Sequence, residues 1–585
     1  MATFSHHARD YARDPRLLRL VGLAVPIGAL STIAAYVLLT LIHFFTNLFF
    51  FQSFSVVDRS PATHGLGAWV IAVPVLGGLL VGLMARFGSE KIRGHGIPEA
   101  IEAILFGKSK LSAKVALLKP LSSGIVIGSG GPFGAEGPII MTGGAIGSLL
   151  AQHFHLSAAE RKALLVAGAT AGMTAVFGTP LAAVLLGVEL LLFELRPRSL
   201  LPVAVACAVA GFTRPLLLEA GPLFPLHTAP VGYLAMVSCV AVGLLAGLLS
   251  AGMSRALYTV EDLFHRLPVH WMWWPALGGI AVGIGGWLQP RALGVGYDVI
   301  ADLLNHRILV GVALSLLAVK AVIWVIALGS GTSGGVLAPL LMVGAGLGTV
   351  LAAWLPGGEP SLWPLVSMAA MLGGVLGAPL TAIVFAFGLT GDANALLPLL
   401  LACCVAHGLS VLLMPRSIMT ERIARRGRHV FREYGVDPLE RVHVGDVMTT
   451  KVISIPADTS LAQVASEWFS DSQQHRAYPV VESDGAFLGM LDRNHLLHHS
   501  HPASTARDVA ERNPEAMTVP TETGSAAAQR MAVTKLERLP VLADLQTRKL
   551  VGILSRSDLV KPAEATHEEE SVRETVARPS ARALG

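Results

Sequence analysis

Three short segments of this 585-residue chain have the residue types and spacing to hold an anion. They are Gly94-His95-Gly96-Ile97-Pro98-Glu99, Gly134-Ala135-Glu136-Gly137-Pro138 and Gly335-Val336-Leu337-Ala338-Pro339. Each sits where a glycine-rich break turns into an apolar run with proline early in it, the pattern of a helix start. A helix start presents unpaired backbone N–H groups and the positive end of the helix dipole. Glycine leaves no side chain between those N–H groups and a ligand. Several such starts converging in a low-dielectric interior bind an anion without a buried full positive charge. The candidate ligands are therefore backbone groups around Gly96, Ile97, Gly134, Ala135, Gly137, Val336 and Leu337, with two side chains among them. His95 can donate an imidazole N–H to an anion, more strongly if protonated, or it can turn to a backbone carbonyl. Glu136 places a carboxylate where a halide would bind. Such a group blocks the site when charged and swings aside when protonated, unless it only caps the helix that follows.

These segments require a surrounding body that excludes water, and the composition supplies it. Hydrophobic residues make up 53% and charged residues 14%, against about 25% charged in a soluble domain; mean hydropathy is +0.60. Residues 421–585 hold 44 of the charged residues, leaving 40 for the first 420. A membrane body is thus followed by a charged tail. Runs such as 66–85 and 231–252 are long enough to span. Those at 112–127, 137–151 and 161–177 are short and broken by Gly or Pro, which lipid tolerates only where irregular backbone is buried or lines a cavity. Interior charge is scarce: few Lys or Arg, and little acid beyond Glu136, Glu189 and Glu194. Arg9, Arg13, Arg16 and Arg19 before the first run, and Arg416, Arg422, Arg425, Arg426 and Arg428 after the last, predict cytoplasmic placement of both flanks. Net charge +4 is too mild to imply nucleic acid, and no cysteine or histidine cluster offers a metal site.

The body contains an internal repeat. Lys119 to Pro138 matches Lys320 to Pro339 at an offset of 201 in Lys119/Lys320, Gly128-Ser129-Gly130/Gly329-Ser330-Gly331, Gly134/Gly335 and Pro138/Pro339. Gly178-Thr179-Pro180-Leu181 answers Gly377-Ala378-Pro379-Leu380 at offset 199. Matching interrupted segments in two halves point to a transport site between them. The tail repeats too. Asp446-Val447-Met448 and Asp508-Val509-Ala510 open its two units, Tyr478-Pro479-Val480-Val481 and Leu539-Pro540-Val541-Leu542 follow, and Leu488-Gly489-Met490-Leu491 and Val551-Gly552-Ile553-Leu554 close them. This order resembles a tandem pair of CBS domains, modules that often bind adenine nucleotides. The resemblance implies a ribose site at Gly552, Ser555 and Asp558; in the first unit the same slots hold Asp492 and His495, and an Asp at the hydroxyl slot would repel phosphate, so at most one good nucleotide site is expected. A purely structural or dimerising module is the other reading.

Taken together, the three anion segments resemble the selectivity segments of the CLC chloride channel and transporter family. The resemblance covers residues 17–430. It implies an all-α polytopic fold of inverted repeats with interrupted helices, followed by an α/β CBS module, and a homodimer with one anion pathway per subunit. His95 stands where the family usually has Ser, and Leu337 where it has Phe. Pro415-Arg416-Ser417 aligns with the family's Pro-x-Tyr, so Ser417 replaces the tyrosine at the inner mouth. In proton-coupled members two glutamates follow the Pro-Leu-Ala stretch; here Pro180-Leu181-Ala182 leads to Glu189-Leu190, and the proton position is an untitratable leucine. Glu189 is expected to make a structural contact or, less simply, to relay protons itself.

The expected domains are a cytosolic N-terminal segment (1–16), the transmembrane anion domain (17–430), two CBS domains (431–500 and 501–562) and a disordered tail (563–585). The expected function is a chloride channel of an inner membrane, gated by Glu136 and modulated by the CBS pair, with no catalytic residue and no required cofactor. Proton-coupled chloride exchange is the close alternative. A fluoride exporter would carry an Asn-rich first segment, a CBS-linked intramembrane zinc protease needs His-Glu-x-x-His, and a divalent-cation transporter needs more buried acid.

Overall fold

The computed structural model describes residues 16–428, 430, 439, 442–470, 475–493, 496, 504–513 and 516–562. The expected tail, all but Arg16 of the expected N-terminal segment, and His495 lie outside the described residues. The described residues divide into two compact units, one over 16–430 and one over 439–562.

The first unit is helical. Its first half holds α1 (Leu17–Phe51), α2 (Ala72–Phe87), α3 (Ile97–Leu105), α4 (Ala113–Gly128), α5 (Glu136–Gln152), α6 (Ala158–Phe177), α7 (Pro180–Leu186) and α8 (Pro197–Leu217). Its second half holds α9 (Tyr233–His265), α10 (Trp274–Leu288), α11 (Tyr297–Leu304), α12 (Val310–Gly329), α13 (Leu337–Leu351), α14 (Leu362–Leu376), α15 (Pro379–Thr390) and α16 (Leu396–Leu413), and α17 (Ile418–Arg425) follows. The repeat is thus eight helices against eight. Packing repeats with it: α5 lies on α6 as α13 lies on α14, α1 on α8 as α9 on α16, and α6 on α8 as α14 on α16. The halves meet through equivalent partners, α2 against α10 and α7 against α15. Gly78 and Gly279 allow the first contact, since a Cβ on either would fall 2.3 Å from the Pro275 carbonyl oxygen or 2.6 Å from that of Pro74.

Among the described residues, six helical stretches are long and apolar enough to cross a membrane: Leu17–Phe51, Gly67–Phe87, Pro197–Leu217, Tyr233–His265, Val310–Gly329 and Leu396–Arg425. The glycine-rich α4, α5 and α6, and the second-half counterparts of α5 and α6, α13 and α14, are largely buried.

The expected scarcity of interior charge is corrected here. Lys119 and Lys320 are wholly buried, as are Arg161 and Asp392. Each lysine's ammonium is hydrogen-bonded by two backbone carbonyls: Lys119 Nζ donates to Ile92 and Gly94, both at 2.8 Å, and Lys320 Nζ to Ala292 at 2.9 Å and Gly294 at 2.8 Å. The two residues that marked the repeat in sequence pin the same kind of loop in each half.

The second unit carries strands β1 (Ile455–Pro456), β2 (Ala477–Val481) and β3 (Phe487–Asp492) in one sheet, with β1 parallel and β3 antiparallel to β2. A second sheet pairs β4 (Arg538–Leu542) with β5 (Leu550–Ser555) antiparallel. The helices are α18 (Val444–Val447), α19 (Leu461–Glu467), α20 (Ala506–Val509) and α21 (Gly524–Thr534). The two repeats exchange their openings. Val444 and Val447 enter the core around Leu539 and Leu554, whereas Ala506 and Val509 enter the core around Val480 and Leu491. Thr449 pairs with Ile553, and Met490 with Glu511. The boundary at residue 500 therefore separates the repeats in sequence but not the two cores, because each opening helix buries its apolar side in the other repeat.

Candidate anion site

The three glycine-rich segments meet. Gly94 forms a parallel bridge with Ser333, and Gly134 an antiparallel one with Gly335. In the latter each N–H donates to the other's carbonyl, at 3.2 and 3.0 Å. A Cβ on Gly137 would lie 1.8 Å from the His95 carbonyl oxygen and 3.2 Å from the Gly335 Cα. Ser123 Oγ lies 3.0 Å from Ser333 Oγ, adding a side-chain tie between the halves. The starts of α3, α5 and α13 are thereby held together, and Gly134, Ala135, Gly137, Val336 and Leu337 are all buried. Helix α3 begins at Ile97 with Pro98 in its first turn; Glu99 Oε2 accepts from the Gly96 N–H at 2.9 Å. Arg422 of α17 donates to Glu99 Oε1 at 3.0 Å.

Glu136 is the first residue of α5, yet its carboxylate serves another helix. Oε1 accepts from the Ala338 N–H at 3.1 Å, in the first turn of α13. Its Oε2 is buried without a hydrogen-bond partner. The carboxylate lies flat between glycines: a Cβ on Gly134 would fall 1.9 Å from Oε2, and one on Gly335 2.6 Å from Cδ. Any other residue at either position would expel the group. A carboxylate on the N–H of a foreign helix start, with one oxygen unsatisfied, rests on a backbone group that also binds anions.

His95 is 2% exposed, and its Nδ1 has no partner. It is therefore not turned to a backbone carbonyl through that nitrogen. Ser417 precedes α17; its Oγ lies 3.3 Å from Thr420 Oγ1, and its carbonyl accepts from the Thr420 and Glu421 N–H groups. The α17 start is also held by Tyr258 of α9, whose hydroxyl donates to the Ile418 carbonyl at 2.6 Å.

Glu189 lies away from these contacts, on a π-helical turn (Gly187–Leu192) that continues α7. Its Oε2 accepts from the Thr381 N–H at 2.8 Å and from Thr381 Oγ1 at 2.5 Å. It caps α15 of the other half. Leu190 is buried among apolar neighbours. Glu194 is half-buried, accepts from Ser199 Oγ at 2.6 Å, and faces Lys162 and Arg196 at 3.7 Å.

One residue of this region was missed in the sequence. Tyr297 follows Gly294-Val295-Gly296, which matches Gly94-His95-Gly96 at offset 200. The repeat carries the signal, since these glycines match upstream of Lys119 and Lys320.

In the second unit, Ser555 N–H and Oγ both donate to Asp558 Oδ2, at 2.8 and 2.6 Å. Lys561 Nζ lies 2.6 Å from Asp558 Oδ1. Burial alone would raise the Asp558 pKa, but Lys561 and Ser555 together hold it below the ordinary carboxylate value. A cavity of about 620 Å³ opens elsewhere in this unit, beside Asp492, with Arg476, Arg493 and Arg538 on its wall, and neither Ser555 nor Asp558 lines it.

Comparison with known proteins bears on the family of the chain. The voltage-gated chloride channel family matches residues 77–411, and CBS domains match 444–502 and 506–563. A voltage-gated ClC-type chloride channel, ClcB, of Salmonella dublin is 33% identical over 375 residues, 62% of this chain and 89% of the relative. A ClcB-like putative chloride channel protein of Ralstonia nicotianae is 30% identical over 58% of this chain and 81% of its own. Among solved structures, a slow cyanobacterial Cl⁻/H⁺ antiporter superposes with a TM-score of 0.61 at 23% identity, over 71% of this chain and 99% of its own. A eukaryotic CLC transporter superposes with a TM-score of 0.62 at 20% identity, over 93% and 98%. The chain belongs to the CLC family of chloride channels and transporters, with a CBS pair at its C-terminal side.

Proposed function

We propose that this chloride-conducting protein works as a channel gated by the Glu136 carboxylate. The observation that carries the reading is Glu136 Oε1 on the Ala338 N–H, with Oε2 unpaired between Gly134 and Gly335. Chloride and the carboxylate compete for one set of N–H groups, so rising chloride or protonation frees the path. His95 and the backbone at Gly96, Ile97, Val336 and Leu337 then serve as ligands of the permeating anion, with Ser417 a smaller residue at the inner mouth. Leu190 supports conduction over exchange. It cannot carry a proton, and the neighbouring Glu189 is engaged by two donors. The path is a conduit with no catalytic step. The working unit is a homodimer in a cell inner membrane, with the arginine-rich flanks of the body in the cytoplasm.

The test is simultaneous chloride efflux and proton uptake in proteoliposomes under a chloride gradient, with valinomycin clamping potassium. Fast chloride efflux without coupled proton flux is expected. Uphill proton movement at a fixed ratio to chloride would establish exchange and move the proton relay to His95 or Glu189.

An adenine nucleotide at the CBS pair belongs to the same proposal, with Ser555 and Asp558 as ribose contacts once Lys561 gives way. Binding of labelled ATP should weaken at least about tenfold in Asp558→Ala, as expected for loss of charge-assisted hydrogen bonds. Loss in Arg538→Ala instead would place the nucleotide in the cavity beside Asp492.

A further inference from the structure

A carboxyl that leaves the α13 N–H groups needs a second resting place within a water-poor interior, and the repeat builds one. The loop of residues 292–297 is the second half's copy of 92–97. Lys320 holds Ala292 and Gly294 by their carbonyls as Lys119 holds Ile92 and Gly94. Tyr297 thus stands where Ile97 stands in the first copy, at the opening of α11 as Ile97 opens α3.

Two contacts place this loop beside Glu136. The Gly294 N–H donates to the Gly130 carbonyl at 3.1 Å, in the segment that leads to Glu136. A Cβ on Gly296 would fall 2.0 Å from Met342 Cε, so the loop also presses on α13, whose first turn holds Glu136. The Tyr297 ring is fixed by aromatic edges: Phe177 and Phe224 both have centroids 6.1 Å away, at 74° and 61°, and Phe177 in turn meets Phe385 at 4.9 Å. Three rings leave the phenol little freedom, yet its hydroxyl is buried with no hydrogen-bond partner. Glu136 Oε2 is itself unpartnered. Buried polar groups are seldom left unpaired, and here two stand in one neighbourhood, one on a rigid ring and one on a flexible side chain.

We propose that the Tyr297 hydroxyl receives the Glu136 carboxyl when it lets go of the Ala338 N–H. Tyr297 is then a positioning residue for the open state, a role that rests on Glu136 being the gate. The hydrogen bond is neutral: a protonated carboxyl and a phenol supply one donor and one acceptor each way, and neither group needs to ionise. Chloride then takes the vacated N–H groups while the carboxyl is held aside.

The test is a double-mutant cycle on the full chain in proteoliposomes, reading chloride efflux and the chloride concentration for half-maximal rate. Tyr297→Phe removes one oxygen and keeps the ring contacts. It should slow efflux about five- to tenfold, the size of one neutral hydrogen bond, and raise the half-saturating chloride as the carboxylate returns to α13. In a Glu136→Ala background the same change should leave both readings within about twofold, since no carboxyl remains to be held. Efflux unchanged by Tyr297→Phe alone would overturn the proposal, as would an equal loss in both backgrounds. Should Tyr297→Phe assemble poorly, 3-fluorotyrosine at 297 keeps ring and hydroxyl; a shift that vanishes with Glu136→Ala supports the proposal, and no shift overturns it. If Glu136→Ala leaves flux and chloride dependence as in the unaltered chain, the gate reading itself fails, whatever Tyr297 does.

Discussion

Two carboxylates on the faces between the halves show how similar chemistry is put to different use. At the start of α13, Glu136 has one N–H on Oε1, an unpaired Oε2 and glycine on either side. At the start of α15, Glu189 has a backbone N–H and a hydroxyl on one oxygen. Both sit at a foreign helix start where a negative charge is welcome. The difference is what else holds them. Thr381 closes round Glu189 with two donors from one residue, so leaving costs both bonds at once. Glu136 holds on by backbone alone, in a slot that also suits a bare anion. The first arrangement anchors a helix; in the proposed gate the second is a bound ligand on a tether.

The largest effect that this comparison predicts comes from Glu136→Gln. The amide keeps the shape but loses the charge that competes with chloride, so chloride efflux should become insensitive to pH between about 5 and 8. Efflux at neutral pH should rise about tenfold or more, equivalent to about 1.4 kcal/mol or more in the gate equilibrium. Stopped chloride loss measured at both pH values checks it. A pH dependence equal in both proteins would place the gate elsewhere. Glu189→Gln should do the reverse, leaving efflux and its pH profile unchanged while costing about 1–3 kcal/mol of stability, because a charged acceptor of two part-buried hydrogen bonds is replaced by a weaker one. Thermal unfolding in detergent reads that loss.

Much of this was legible in the sequence because the repeat and the site use the same residues. Gly134 and Gly335 are both repeat markers and walls of the Glu136 slot. Lys119 and Lys320 are both repeat markers and the pins of two equivalent loops. Composition gave the membrane body, and the ordered glycine-proline breaks gave the convergence of α3, α5 and α13. Other features were hidden for physical reasons. Hydropathy counts a buried lysine as a polar break, and nothing local says that two carbonyls from a loop 25 or more residues away accept its hydrogen bonds. The exchange of opening helices between the CBS repeats is equally silent, since Val447 and Val509 have the same local pattern whichever core receives them. Tyr297 was obscured because its copy in the first half is an isoleucine, so identity fails at the position where the function differs. The Ser555–Asp558–Lys561 cluster shows the converse risk: a motif with the right spacing can satisfy itself.

The smallest effect tests the anchoring side of the comparison at one atom. Thr381→Val removes the hydroxyl that lies 2.5 Å from Glu189 Oε2 and keeps the backbone N–H at 2.8 Å. Valine has nearly the same shape, so packing of α15 on α7 is conserved, and the loss should be about 1 kcal/mol. Transport should not change, because Glu189 stays on the helix start through the remaining bond. If Glu189 relayed protons in place of the missing acceptor at Leu190, loosening it would alter proton movement before it altered stability. A variant that melts slightly earlier with unchanged chloride flux and no proton flux therefore identifies an anchor. A variant that melts normally but gains or loses coupled proton flux would make Glu189 part of the pathway, and the two carboxylates would then differ in timing rather than in kind.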